Sequence, residues 1–331
     1  MSYTQGQRTK TVAVVIPCYN VAEHIGSVLA ALPSFIDHIL PVDDCSQDSG
    51  AEIIEKAALA DSRILLIRHQ KNQGVGGAMA SGFRKALQLE ADIIIKLDGD
   101  GQMDTRYLEP MVRRLCSGTC DFVKGNRFHD RLSIGNMPAI RRIGNMGMGF
   151  LVKMASGYWN ISDPTNGYFA IRRETLEKLP LERLSPRFFF ESSLIIELYY
   201  AGAHIHDMSM PAIYGTEKSN LSVWQTLFSF PGKLAKAFFR RMLLRYFICD
   251  FNINSLYILF GGPLFLFGMI FGLCKWIHYG SLQMPAPTGT IMIAVLSIVL
   301  GFQMMLASVQ FDITAGNPFE ESEDEEDLIR K

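Results

Sequence analysis

The chain has 331 residues, of which 48% are hydrophobic and 20% charged, and a formal net charge of −1. A mean hydropathy of +0.14 excludes a disordered polyelectrolyte and is high for a protein held wholly in water. Six scattered cysteines, with only Cys116 and Cys120 close together, exclude a disulfide scaffold and a cysteine zinc site, and point to a reducing compartment.

The N-terminal stretch MSYTQGQRTK is polar and lacks the apolar core of a secretory signal, so none is expected here. From residue 12 short β-branched runs alternate with helical patterns. The expected strands are 12–16 (VAVVI), 37–42, 63–68 (RILLIR) and 92–97 (DIIIKL), with helices at 22–31, 50–60 and 74–89 between them. Ser49 followed by Glu52 fits a capping box at the second helix. Strand and helix alternating at this spacing predict a doubly wound, mostly parallel α/β sheet, with ligands beyond the carboxyl ends of its strands. The unusual residues gather at those ends: PCYN, DDCSQD, NQGVGG and DGDGQ.

Residues 232–247 (GKLAKAFFRRMLLRYF), read at 100° per residue, put Phe238, Phe239, Met242 and Tyr246 on one side and most of the cations on the other. That pattern suits an amphipathic helix lying in a membrane surface; a helix packed on a soluble domain with a solvated basic face would read the same way. Residues 256–274 and 288–311 are uncharged runs of nineteen and twenty-four, long enough to cross a hydrocarbon core. The linker HYGSLQMPAP has no Lys or Arg, whereas Lys233, Lys236, Arg240, Arg241 and Arg245 precede the first run. The positive-inside rule therefore puts the large domain and the tail on the cytoplasmic side. The last sixteen residues carry seven acids and two bases, so the near-neutral total hides a charge of +4 on the rest.

The chemistry concentrates after the fourth strand. Asp98 and Asp100 flank a single glycine, so both carboxylates can turn toward one point, and hard oxygen donors on a loop suit Mg²⁺ or Mn²⁺ shared with substrate phosphates. Gln102 can add a neutral oxygen, and Asp44 in DDCSQD is placed to accept hydrogen bonds from a base or ribose. NQGVGGAMASG matches neither the P-loop nor the dinucleotide fingerprint, and close packing of helix on sheet explains its glycines better.

Taken in order, VVIPCYN, PVDDCSQDS, NQGVGGAMASGF and KLDGDGQMD resemble the donor-binding half of a family 2 glycosyltransferase of GT-A fold. With the terminal spans, the chain is most similar to the polyprenyl-phosphate glycosyltransferases, the group of dolichol-phosphate mannose synthase. The resemblance covers about residues 10–220. It implies a GT-A domain over 1–220, amphipathic interface helices over 221–250, a two-helix transmembrane hairpin over 251–312 and an acidic cytoplasmic tail over 313–331. On matching positions, Pro17, Tyr19 and Asp44 would hold the nucleotide, and Asp98, Asp100 and Gln102 the divalent ion on the diphosphate. KGNRF contributes Arg127, IRRIGN contributes Arg141 and Asn145 for the acceptor phosphate, DPTNGYFAIRR puts Asp163, Asn166 and Gly167 beneath the donor sugar, and YGTEKSNLS brings Lys218 and Ser219 over the phosphates. Two positions depart from the family pattern: Val21 stands where a Glu is common, and Lys218 where an Arg is usual.

The activity so implied is inverting transfer of one sugar from a UDP-glucose or GDP-mannose type donor to undecaprenyl or dolichyl phosphate, with Asp100, Arg127 and Arg141 as the catalytic groups and Mg²⁺ or Mn²⁺ as cofactor. The partners are the nucleotide sugar, the lipid phosphate and the bilayer; no nucleic acid is expected, and a homo-oligomer is left open. The location implied is an integral membrane protein of the bacterial inner-membrane kind, its catalytic domain cytoplasmic. The rival readings are a processive polysaccharide synthase, which lacks support because no Arg-Trp pair occurs, a sugar nucleotidyltransferase, which would carry a basic glycine loop after the first strand, and a non-catalytic membrane scaffold. Glu191 would either orient the acceptor or begin a helix.

Overall fold

The structure, a computed structural model, describes residues 4–5, 8–127, 139–210 and 223–317. Residues up to Ala237 form one compact unit and Phe238–Pro318 a second.

In the first unit, β1 (Val12–Cys18), β2 (His38–Asp43), β3 (Ile67–Arg68) and β4 (Ile93–Lys96) alternate with α1 (Ile25–Ala30), α2 (Gly50–Ala60) and α3 (Val75–Gln88). Then come α4 (Leu108–Cys116), β5 (Phe122–Asn126), α5 (Ala139–Ser156), β6 (Phe169–Arg172), α6 (Arg173–Glu177), α7 (Phe190–Tyr200) and β7 (Ile205–Ser209). The seven strands form one mixed sheet in the order β3-β2-β1-β4-β6-β5-β7. β1 runs parallel to β2 and to β4, whereas β6 lies antiparallel to both β4 and β5.

Both faces of β1 are covered, which is why VAVVI reads as a continuous apolar run. Val12, Val14 and Ile16 pack with residues of α1 and α4, while Ala13 and Val15 pack with Met79 and Phe83 of α3 and Phe190 of α7. Each large side chain buried in this way contributes about 1.5–3 kcal/mol. A Cβ on Gly82 would overlap Val15 Cγ1, and one on Gly76 would overlap the Ser185 carbonyl. The glycines of NQGVGGAMASG thus let α3 lie close against the sheet and against the 185–190 segment.

Two local expectations fail for identifiable reasons. The Ser49–Glu52 capping box does not form: Ser49 makes no side-chain cap bond. Asp48 takes that part instead, Oδ1 accepting from Gly50 N at 3.0 Å and Oδ2 from Ala22 N at 2.8 Å. A carboxylate can serve the helix start and the neighbouring loop together. The third strand shrinks to two residues, with Ile64 joined to Ile39 by a lone bridge, because Arg63 is drawn into a turn by Asp61 and the carbonyls of Pro33 and Ile36.

α8 (Val223–Leu243) starts in the first unit and ends in the second, where one π-helical turn follows it over Leu244–Cys249. The amphipathic reading of 232–247 holds only in part. Phe239 is exposed, but Met242 and Tyr246 are buried, and so are two of the cations, Arg241 and Arg245. Asp312 is the reason: Arg241 donates to both its oxygens, at 2.7 and 2.8 Å, and Tyr246 Oη donates to Oδ1 at 2.7 Å. A buried carboxylate draws in these two cations, and Lys233, Lys236 and Arg240 make up the polar side. Among the described residues, α9 (Ile253–Ser281) and α10 (Thr288–Thr314) are the two helices long and apolar enough to cross a membrane. Asn252 starts α9 with a reciprocal cap, accepting from Asn254 N and donating its own N–H to Ser255 Oγ.

Candidate active site

The carboxyl ends of β1, β2 and β4 lie side by side, as the parallel pairing requires. β4 is central and wholly buried, and its chain emerges through Leu97 into Asp98, Gly99 and Asp100. Gly99 passes over the end of β1, where a Cβ would meet Cys18 Sγ at 3.6 Å. Gln102 N donates to Asp100 Oδ1 at 3.0 Å, which closes the loop on itself. Asp104 has a different task. It accepts from Arg106 N at 2.9 Å and pairs with the same guanidinium at 2.6 Å, and that hydrogen bonding holds its carboxyl below the usual range.

Tyr19 and Asn20 follow β1. Tyr19 is about half exposed, and Asn20 has φ 55°. This turn is zipped to the DDCSQD loop by Asn20 N to Ser46 Oγ, 3.1 Å, and Gln47 N to Asn20 Oδ1, 2.9 Å. Asp44 is buried in the same loop. Its Oδ1 meets His69 Nδ1 at 2.7 Å and Gln73 N at 2.8 Å, and Oδ2 accepts from Gly74 N at 2.7 Å. His69 in turn reaches Ser81 Oγ at 2.9 Å. Both oxygens of Asp44 are engaged inside the protein, so the carboxylate knits the loop after β2 to the start of α3.

Asp163 is fully buried and forked by Arg127, Nε to Oδ2 at 2.7 Å and Nη2 to Oδ1 at 3.1 Å. Asn166 also turns inward: Nδ2 donates to the Gly125 carbonyl at 2.8 Å, and Oδ1 accepts from Tyr168 N at 3.1 Å. Gly167 is a position of close approach. A Cβ there would overlap Lys96 Nζ and stand 3.2 Å from Asp98 Oδ2 and 3.3 Å from Glu191 Oε1. DPTNG therefore contributes backbone and an Arg127 anchor to the site, while its Asp and Asn side chains hold the loop itself.

Under this loop lie two buried lysines that a motif reading does not single out. Lys96 Nζ donates to Asp98 Oδ1 at 2.6 Å and stands 3.5 Å from Glu191 Oε1. Burial alone would lower its pKa, but the two carboxylates outweigh that and hold the ammonium above the ordinary lysine value. Lys124 donates to the Asn166 carbonyl, and burial, only partly offset by Asp163 and Glu191, pushes it down to about 8. Their only signal in the sequence is a lysine inside an apolar strand, IIIKL and FVKGN, a position that a cation occupies when paired. Glu191, at the start of α7, is tied to Lys96.

Arg141 and Asn145 stand one turn apart on α5, with side chains outside the described set; Lys218 and Ser219 also lie outside the described residues. Among the described residues no group of three or more His, Cys, Asp or Glu could cage a metal. Asp98 and Asp100 at an accessible strand end nevertheless fit a hard divalent cation that takes its other oxygens from phosphate and water.

The fold is of GT-A type, and residues 13–180 match the model for glycosyl transferase family 2. The chain belongs to that family. It is 26% identical to the UDP-N-acetylglucosamine–dolichyl-phosphate N-acetylglucosaminyltransferase of Methanococcus voltae, across 71% of this chain and 96% of that protein. It is 30% identical to the polyprenol monophosphomannose synthase of Mycolicibacterium smegmatis, across 54% of this chain and 68% of that one. Among solved structures it is similar in fold to glucosyl-3-phosphoglycerate synthase of Mycobacterium tuberculosis in complex with Mn²⁺, UDP and product, with a TM-score of 0.50, 18% identity, and 70% and 80% of the two chains covered.

Proposed function

We propose that this glycosyltransferase moves a single sugar from a nucleoside diphosphate to a polyprenyl phosphate at the cytoplasmic membrane face, with inversion at the anomeric carbon. The observation that carries the reading is the pair Asp98 and Asp100 at the carboxyl end of the central strand, on a sheet whose family transfers sugars. Relatives named for dolichyl and polyprenol phosphate acceptors, with two helices able to span a membrane, support a lipid acceptor.

In this reading Asp98 and Asp100 would hold Mg²⁺ or Mn²⁺, which when bound neutralises charge on the departing diphosphate. Tyr19 offers a half-exposed ring for the base, and Pro17, in register with Val42 at the end of β1, would flank the nucleotide. Because Asp44 is fully engaged within the protein, it fixes the nucleotide loop, and the loop backbone is left to meet the ribose. The acceptor phosphate is a monoester with a second pKa of about 6, already ionised at neutral pH, so no strong base is needed. Arg127, oriented by Asp163, and Arg141 with Asn145 on α5 would instead draw two anions together. Lys218 and Ser219 complete the phosphate contacts in this proposal.

The test is sugar transfer by the purified full-length chain, using undecaprenyl phosphate and a panel of labelled UDP and GDP sugars. Asp100→Ala should lose transfer while keeping its fold. Equal turnover by Asp100→Ala, or full activity in excess EDTA, would remove the cation from the reaction.

A further inference from the structure

Asp98 is not an uncommitted ligand. One of its oxygens is held by the Lys96 ammonium at 2.6 Å, and the other faces the narrow space beside Gly167 and Glu191. The Lys96 side chain is 1% exposed, so no water shell shares its charge, and the neighbouring carboxylates Asp98 and Glu191 are its counter-ions. Three separate elements meet at this one nitrogen: the end of β4, the turn before β6 and the first turn of α7. Gly167 is small because Lys96 Nζ occupies the place of its Cβ.

We propose that Lys96 is a positioning residue that serves as a built-in counter-ion at the divalent-cation site, sharing Asp98 with the cation so that the cation binds well only together with the nucleoside diphosphate. This rests on the assignment of Asp98 and Asp100 as cation ligands. Asp98, Asp100 and Glu191 bring three negative charges, and Lys96 cancels one of them. The local field is then too weak to hold a doubly charged ion firmly until the diphosphate adds its own oxygens. Without Lys96 the same three carboxylates would attract the cation unaided. Lys96 also fixes Asp98 through Oδ1, so the cation meets an oriented ligand. Glu191 takes up the share of the ammonium that Asp98 gives over when it binds the cation.

The experiment is Mn²⁺ titration of the full-length chain in detergent, following free Mn²⁺ by electron paramagnetic resonance, with and without UDP or GDP. The wild type should bind Mn²⁺ alone weakly and at least tenfold more tightly with the matching nucleotide. Lys96→Met, similar in length but uncharged, should bind Mn²⁺ alone about tenfold more tightly than wild type, because a unit charge next to a ligand has been removed in a low-dielectric setting. The gain from added nucleotide should shrink. Glu191→Gln should act oppositely: Lys96, left with one counter-ion, grips Asp98 harder, and Mn²⁺ alone binds several-fold more weakly. A folded Lys96→Met with wild-type Mn²⁺ affinity overturns the inference, as does a Glu191→Gln that binds Mn²⁺ as well as wild type or better. If Lys96→Met does not fold, Glu191→Gln decides. A wild type that binds no Mn²⁺ with either nucleotide overturns the cation assignment itself, whereas normal wild-type binding with silent variants overturns only the role of Lys96.

Discussion

Arg127 is held by Asp163 in a two-pronged ion pair, and the Asp163 side chain is fully buried while the Arg127 side chain keeps about a third of its surface open. The strand β5 and the turn before β6 thereby aim one cation at the rim. Asp163→Asn should release that aim. The expected result is a tenfold to hundredfold loss in transfer, roughly the cost of misplacing a charge-bearing group, carried mainly by the KM for lipid phosphate. Stability should fall by about 2 kcal/mol, as for a charged hydrogen bond with one partner partly solvated. A variant that loses donor affinity instead would assign Asp163 to the sugar.

How much of this was legible beforehand depends on whether a residue advertises itself locally. β1, β2 and β4 could be read because buried parallel strands are runs of β-branched residues, and Asp98 with Asp100 stood out by their position at the carboxyl end of such a run. Asp44 looked like a ligand for the same reason, but its partners, His69, Gln73 and Gly74, are twenty-five or more residues away and invisible to spacing. Lys96 and Lys124 were passed over because a lysine inside a strand acquires meaning only when the fold brings Glu191 and the Asn166 carbonyl to it. Arg241 and Arg245 read as part of a basic surface set because Asp312, about seventy residues on, cannot be seen as their partner from spacing.

Lys124 makes a pH prediction. Its folded pKa of about 8 lies below the ordinary value near 10.5, so between these two pH values the unfolded chain binds the proton that the native state has given up. Stability contributed by this group therefore rises with pH across that interval and is least below pH 8. Thermal unfolding of wild type and Lys124→Met at several values from pH 7 to 10 should show the difference in Tm moving in favour of wild type as pH increases. A constant difference would mean that Lys124 does not titrate there.

The buried pair of Arg241 with Asp312 should be costly to break from one side. Asp312→Ala leaves Arg241 and the Tyr246 hydroxyl without this carboxylate, while Arg245 keeps the Ala315 and Gly316 carbonyls, and a loss of about 3–5 kcal/mol is expected for an orphaned buried charge. Tm in detergent should fall steeply. Arg240→Ala, on the neighbouring exposed position, should change it little.

The two long apolar helices approach closely at glycines, and in a bilayer, where lipid tails offer the same apolar surroundings, that close approach rather than hydrophobicity alone would draw them together. A Cβ on Gly301 would stand 2.5 Å from Phe265 N and 2.8 Å from Phe265 Cα, and 2.9 Å from the Gly261 carbonyl. Those are backbone atoms, so no rotamer change relieves the overlap, and the helices must part along the turn that also carries the Phe265–Phe302 ring pair. Gly262, on the same helix as Gly261, has nothing within 4 Å of a built Cβ. Gly301→Val should therefore lower the Tm of the second unit, while Gly262→Ala should leave it unchanged or raise it slightly, with about 1 kcal/mol of recovered helix propensity. Equal effects at the two positions would mean that helix propensity, not close approach, sets the packing of α9 against α10.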